Sequence, residues 1–216
     1  MGFLDTILGR TKPVRPDLDA LFSLPSAAVT LQAASGLVPT GRAGVCFKPP
    51  AGRDFAEVQQ EIEQLLATAD SSIGPPGAGA QDDGSGSAAG SAGAVHDVPD
   101  RYGYRWVVFD GGGIDDLVTR VHLVHSSIED AGWGPQLLCS VFAFRPGNDA
   151  DASDMIREPV YLVYLAKRGT FYPFAPSGHE QRDSELELRV RSLLGSDLPV
   201  EADISRWFPV WELPIA

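Results

Sequence analysis

Three side chains in one predicted helix have the residue types and the spacing of metal ligands. His122, His125 and Glu129 stand at positions i, i+3 and i+7, so they fall within one narrow sector of the helix surface. Imidazole and carboxylate groups on one helix face are a ligand pattern of metal sites in helical bundles. The sequence therefore allows a metal- or small-ligand-binding domain, and a cryptic enzyme, centred on these residues.

The same positions also fit a structural role. His125 stands in the middle of the apolar stripe of this helix, where a hydrogen-bonded core histidine is common, while His122 and Glu129 stand at its edge. A metal site needs further ligands, and no second cluster of His, Cys or Asp has a suitable spacing. We therefore expect no cofactor, and the three-residue site remains the alternative hypothesis.

Patterns of phosphate-binding and nucleophilic residues are missing from the sequence. The stretch "DGGGIDDL" leads from a predicted strand into this helix, but it has neither the GxGxxG nor the Walker pattern. Its aspartates would repel an anion at the helix start, so we interpret the glycines as a tight turn. No GxSxG motif occurs, and no pair of carboxylates is placed for acid–base work. We expect a protein that is not an enzyme.

A second candidate site is a surface for a protein partner. The stretch "VYLVYLAKRGTFYPFAP", residues 160–176, changes abruptly from strand-like apolar residues to basic and aromatic ones. Arginine and aromatic side chains on an exposed loop at 167–176 are the groups that dominate interface energies. The alternative is that the loop folds back over an edge or a face of the sheet. The predicted partner-binding residues, with the C-terminal aromatics, are Lys167, Arg168, Phe171, Tyr172, Phe174, Trp207, Phe208 and Trp211.

Residues 1–15 form a short amphipathic segment. Its charged residues give the first sixteen residues a net charge of +2, in a chain whose net charge is -12. An apolar face with basic flanks suits an anionic membrane surface, although the segment could equally pack on the domain. The predicted membrane-contact residues are Phe3, Leu4, Ile7 and Leu8.

The composition excludes several classes of protein. Seventeen basic against 29 acidic residues argue against nucleic acid as the main partner, because duplex binding needs Lys and Arg to neutralise phosphates. Cys46 and Cys139 are too few for a disulfide framework, so buried reduced thiols are expected. No apolar run is long enough to span a bilayer, and no signal peptide is present. We expect a cytoplasmic protein, with contact to the inner face of the membrane left open.

Hydrophobic periodicity predicts the elements that position these residues. Three helices are expected at 54–70, 113–134 and 182–195, and a short one at 16–25. Strands are expected at 27–35, 41–49, 101–112, 135–147 and 157–166, the last two as a hairpin. A Gly/Ala/Ser-rich stretch at about 71–98 is predicted to be a flexible or disordered insert. The order indicates an α+β fold, a mostly antiparallel sheet packed with helices, in a single domain over 16–216.

Several stretches also resemble a known family. "MGFLDTILGRTKP", "LDALFSLPSAAVTLQAASGL", "GVCFKP", "YGYRWVV", "IEDAGWGPQLLCSVFAF", "VYLVYLAKRGTFYPFAP" and "RWFPVWELP" are similar to the PspA-associated, PspAB-like proteins of bacteria and archaea. The resemblance implies a link to phage-shock protein A, a coiled-coil effector of envelope stress, and relatives are linked with an HtpX-type membrane protease. The resemblance implies no catalytic residues. We therefore expect an accessory protein of the phage-shock response that binds a PspA-type protein through the aromatic-basic loop.

Overall fold

The computed structural model describes residues 18–49, 60, 64, 94–147, 156 and 158–216. Within them, six strands form one sheet in the order β2-β3-β1-β4-β5-β6, and every neighbouring pair is antiparallel. In the ranges 18–49, 94–147 and 158–216, three α-helices accompany the sheet, so the predicted α+β fold is confirmed. The strands are β1 (Leu37–Phe47), β2 (Ala94–Pro99), β3 (Arg105–Asp110), β4 (Leu137–Pro146), β5 (Val160–Leu165) and β6 (Thr170–Phe174), and the helices are α1 (Leu24–Ser35), α2 (Ile114–Asp130) and α3 (Ser184–Leu194).

The two faces of the sheet are both covered, but by different parts of the chain. Alternate residues of a strand point to opposite faces, so Val45 and Phe47 of β1 join the core beneath the helices. Cys46, between them, belongs to a second apolar cluster on the other face. There the cover is irregular: it is residues 207–216, which we call the C-terminal segment, and Trp207, Leu213 and Ile215 are its buried members.

The segment 27–35 is helical, so the prediction of a strand there is wrong. It continues the helix α1, which has a proline in its first turn, where the missing N–H group costs nothing. Leu24, Ala27, Ala28 and Leu31 are buried, and this i, i+3, i+4, i+7 spacing is that of a helix face. The alternation of apolar and polar side chains at Val29, Thr30 and Leu31 is also typical of a strand, which explains the wrong prediction.

Both edge strands lie where no strand was expected. Residues 94–98 were assigned to the insert, yet they pair with β3 as part of β2. Residues 170–174 were assigned to a loop, yet they pair with β5 as β6. Pro173 fits this position because an edge strand has N–H groups that need no ladder partner.

The turn between β3 and α2 is formed by glycines, as predicted. Gly111 and Gly112 have φ angles of 91° and 96°, a region that residues with a Cβ rarely adopt. The helix then begins at Ile114, within the predicted range. The predicted segment 1–15, most of the predicted helix 54–70 and the insert up to residue 93 lie outside the described residues.

Candidate functional site

A pocket of about 660 Å³ lies on the face of the sheet opposite the helices. Its floor is formed by side chains of the sheet, among them Cys46, Cys139 and Trp106. One wall is the C-terminal segment from Phe208 to Pro214, and the other is the turn between β2 and β3. A pocket of this size with largely apolar and aromatic walls is typical of a binding site for apolar groups.

The C-terminal segment is fixed at its start by Trp207. This side chain is buried, its Nε1 donates to the Glu201 carbonyl oxygen at 3.1 Å, and its ring stacks on Tyr172 with centroids 6.1 Å apart. The Trp207 carbonyl in turn accepts a hydrogen bond from Arg182 Nη1 at 2.7 Å, and Arg182 pairs with the buried Glu187. The pocket wall therefore depends on one aromatic anchor and a partly buried ion pair.

Further along, the segment packs closely on the sheet at Gly44. A Cβ atom at this position would lie 3.2 Å from Trp106 Cε3 and 3.3 Å from Ile215 Cγ2, which is tight for any side chain. The glycine thus lets Ile215 approach strand β1 beside the pocket floor.

The opposite wall is organised by Asp100. One carboxylate oxygen accepts hydrogen bonds from the backbone N–H groups of Tyr102 and Tyr104 at 2.8 and 2.9 Å, an arrangement typical of Asx turns. The other accepts from Trp106 Nε1 at 3.4 Å. At the mouth, Arg101 forms an ion pair of 2.9 Å with Glu212 of the C-terminal segment. The polar groups around the pocket are thus largely paired with one another.

Two thiols lie side by side on the pocket floor. Cys46 of β1 and Cys139 of β4 are opposite each other in the register, and both are free. The hydrogen bond with Cys139, followed by burial, raises the pKa of the Cys46 thiol above its usual value. Cys46 is therefore protonated at neutral pH and is not an activated nucleophile.

One hydroxyl group joins the C-terminal segment to β6. Tyr172 donates from its hydroxyl to the Phe208 carbonyl oxygen at 2.8 Å, so replacing Tyr172 with phenylalanine should lower the free energy of unfolding by about 1 kcal/mol. Chemical denaturation measures this. The matched control is Tyr161→Phe on the same face, because the Tyr161 hydroxyl makes no hydrogen bond with the described residues. An equal loss in both variants would contradict the assigned role of the Tyr172 bond.

Most aromatic members of the predicted partner surface are buried, so the hypothesis of an exposed aromatic loop does not describe them. Phe171, Tyr172, Phe174 and Trp207 are all less than 4% exposed. Phe171 points to the helix face, while Tyr172 and Phe174 point to the other face, because successive residues of a strand alternate. The alternative interpretation, in which these residues cover the sheet, agrees with the structure.

The other predicted residues are divided between two places. Lys167 and Arg168 are exposed at the turn between β5 and β6, where Arg168 forms an ion pair with the buried Glu201. Phe208 and Trp211 lie in the C-terminal segment and line the pocket. Phe208 is 62% exposed.

The metal hypothesis for helix α2 is not supported by the geometry. His125 is fully buried, and its Nε2 lies 2.6 Å from the Ser140 hydroxyl, which confirms the core-histidine interpretation. The His122 ring instead packs against Phe22, with ring centroids 5.0 Å apart and planes tilted by 45°, and burial raises the pKa of Glu129. Among the described residues, no three His, Cys, Asp or Glu side chains are grouped as metal ligands.

The predicted membrane-contact residues Phe3, Leu4, Ile7 and Leu8 lie outside the described residues. In the part of the chain that the structure describes, no helix is long and apolar enough to cross a membrane.

The pocket was missed by the sequence analysis, although part of its signal was present. Gly44 and Cys46 alternate with Val45 and Phe47 in "GVCF", which indicates two different faces of one strand. The residues of β4 that lie opposite this strand can be predicted only from the register of the two strands. The wall of the pocket can be predicted only if the C-terminal segment is known to return to the sheet.

Comparison with known proteins gives one significant match, which is to a family model. Neither the curated proteins nor the solved structures include a significant match to this chain. The family model described as PspA associated protein B matches residues 1–215, which is almost the whole chain. The protein therefore belongs to the PspA associated protein B family.

Proposed function

We propose that this protein is a non-enzymatic accessory protein of the phage-shock response that binds a PspA-type protein through the pocket. The family description supplies the partner. We choose the pocket as the contact surface because it is apolar and is flanked by two exposed aromatic side chains. Tyr102 is 59% exposed and Phe208 is 62% exposed. Exposed aromatic groups around a pocket are typical of protein interfaces.

The pocket replaces the aromatic-basic loop of the sequence prediction as the contact surface. Of that predicted patch, Phe208 and Trp211 remain accessible at the pocket, whereas the aromatic side chains of β6 are buried. Asp100 and Glu212 also line the pocket, and the chain carries a net charge of -12. We therefore propose that the occupant is an apolar segment of the PspA-type partner with basic residues beside it, because opposite charges favour the encounter.

A binding role suits the chemistry of the pocket better than a catalytic one. No histidine is among the described residues that line it. The Asp100 oxygens accept hydrogen bonds from the turn and from Trp106, Glu212 is paired with Arg101, and Cys46 is protonated at neutral pH. Neither carboxylate is placed as a free general base.

The test is co-precipitation of a tagged chain with a PspA-type protein from the same genome. We expect Phe208→Ala to weaken binding by about thirtyfold or more, because truncating an interface hot spot costs about 2 kcal/mol or more. The substitution leaves the carbonyl that accepts from Tyr172 in place. Phe22→Ala is the matched control, because Phe22 is 51% exposed and precedes α1 on the helix side of the sheet.

Two outcomes would contradict the proposal. Unchanged binding by Phe208→Ala and by Trp211→Ala would exclude the pocket as the contact surface. Recovery of the purified protein with a small apolar molecule that no PspA-type protein displaces would favour a ligand-binding domain instead.

A further inference from the structure

We propose that Cys46 and Cys139 form a two-coordinate site for a soft monovalent cation, Cu(I). The inference is independent of the proposed partner. It rests on two free thiols at the floor of an apolar pocket, since thiolate sulfur is the ligand that Cu(I) prefers.

The strand register places both sulfur atoms on the same side of the sheet. Cys46 and Cys139 are directly opposite in the antiparallel pair of β1 and β4, so their side chains are neighbours. Both side chains belong to the apolar cluster on the pocket face of the sheet, Cys46 buried and Cys139 partly buried. The pairing of the strands therefore places the two sulfur atoms where a single ion could bridge them.

The same register disfavours a disulfide between these residues. The Ala166 N–H group donates to the Leu138 carbonyl, which makes Leu165 and Cys139 a non-hydrogen-bonded pair between β4 and β5. The backbone polar groups of Cys139 consequently point towards β1, so the register makes Cys46 and Cys139 a hydrogen-bonded pair, the last one before the register shifts at Phe47. Cβ atoms in such pairs lie near the upper end of roughly 4.5–5.5 Å, whereas a disulfide needs roughly 3.5–4.5 Å.

The surroundings limit the site to two ligands. No group of three or more potential ligands occurs in the described ranges. The negative charge of Asp100 raises the pKa of Cys46. The Asp100 carboxylate oxygens already accept hydrogen bonds from the backbone of its own turn and from Trp106. Zinc takes four ligands in structural sites and at least three protein ligands in catalytic ones, so this pair of thiols suits a cation that accepts two.

Binding exchanges protons for the ion without a change of oxidation state. Each thiol loses its proton to solvent as its sulfur forms a bond to Cu(I), so two S–H bonds break and two Cu–S bonds form. Because metal binding releases protons, affinity should increase with pH. The resulting complex carries one negative charge. The charged residues that line the pocket are Asp100, Arg101 and Glu212, and the last two are paired with each other.

The experiment is an anaerobic titration of the full chain with Cu(I), in competition with a chromogenic Cu(I) chelator, and with Ag(I) as a redox-stable substitute. We expect one ion per chain, and a shell of two sulfur atoms by X-ray absorption. Cys46→Ser and Cys139→Ser should each lose binding in the competition. Phe22→Ala is the control: this residue is exposed on the helix side of the sheet, so the variant should retain the ion.

Several results would overturn the proposal. They are failure to compete with the chelator, retention of the affinity by either single serine variant, binding of Zn²⁺ with equal affinity, and one ion shared between two chains. Conversion to an intramolecular disulfide by a low-molecular-weight disulfide, seen as a loss of two hydrogen masses, would contradict the register argument. Circular dichroism of each serine variant shows whether lost binding reflects a lost fold.

Discussion

Replacing Trp207 with alanine is expected to lower the free energy of unfolding by about 3–5 kcal/mol, the usual cost of truncating a buried tryptophan. Trp207 is 3% exposed and stacks on Tyr172, and Arg191 lies over its ring at 5.7 Å. The indole N–H is also the donor to the Glu201 carbonyl. The substitution leaves a cavity where the C-terminal segment starts, so the wall of the pocket should loosen as well.

Two measurements separate the loss of stability from the loss of the pocket. Chemical denaturation gives the free energy of unfolding, and fluorescence of an apolar dye reports binding in the pocket of the folded protein. Trp211→Ala is the matched control. Trp211 is half-buried and contacts Phe174 at its edge, so its truncation should cost clearly less. A loss below about 1 kcal/mol for Trp207→Ala would show that the segment is not anchored there.

The central elements were predictable because their local signals agree with their tertiary environment. Helix α2 has a clear 3.6-residue period, and β4 and β5 are continuous apolar runs, as expected of strands that are covered on both faces. The segment 27–35 failed for a physical reason. The buried face of α1 is formed by Leu24, Ala27, Ala28 and Leu31, half of them alanines, so its apolar period is weak, and a proline can end a helix as well as begin one.

The functional residues were less predictable because their exposure depends on distant parts of the chain. An aromatic run such as "TFYPF" is compatible with an exposed loop or an edge strand. Its burial follows from β5 on one side, a bridge from Phe171 to Val200 on the other, and Trp207 above Tyr172. No local sequence pattern indicates these contacts. The same holds for the thiol pair, since it exists only through the pairing of β1 with β4.

His125 should make the protein sensitive to mild acid. Burial, and then the nearby His122, lower the pKa of His125 to about 3. Its Nδ1 has no hydrogen-bond partner among the described residues, so in the imidazolium form the Nδ1–H group would have no acceptor, while Nε2–H could still donate to Ser140. Tyr164, whose ring centroid lies 5.8 Å away, adds an apolar surface. The core therefore strongly disfavours the imidazolium form.

The sign of the effect follows from linkage. The unfolded chain binds a proton at His125 near pH 6.5, while the folded protein excludes it until about pH 3. Stability is therefore lost as the pH falls from 6.5 towards 3, by about 1.4 kcal/mol per pH unit. Between pH 7 and pH 5 the expected loss is about 2 kcal/mol, in a range above the usual titration of carboxylates.

Denaturant titrations at pH 7, 6 and 5 test this, in the original chain and in the double variant His125→Leu/Ser140→Ala. The double variant removes the imidazole together with the hydroxyl that it pairs with, so no buried polar atom of that pair is left without a partner. Between pH 7 and pH 5, the free energy of unfolding of the double variant should fall by about 2 kcal/mol less than that of the original chain. His179→Gln, at an exposed residue, should keep the original dependence. An unchanged dependence in the double variant would show that groups other than His125 cause the acid sensitivity.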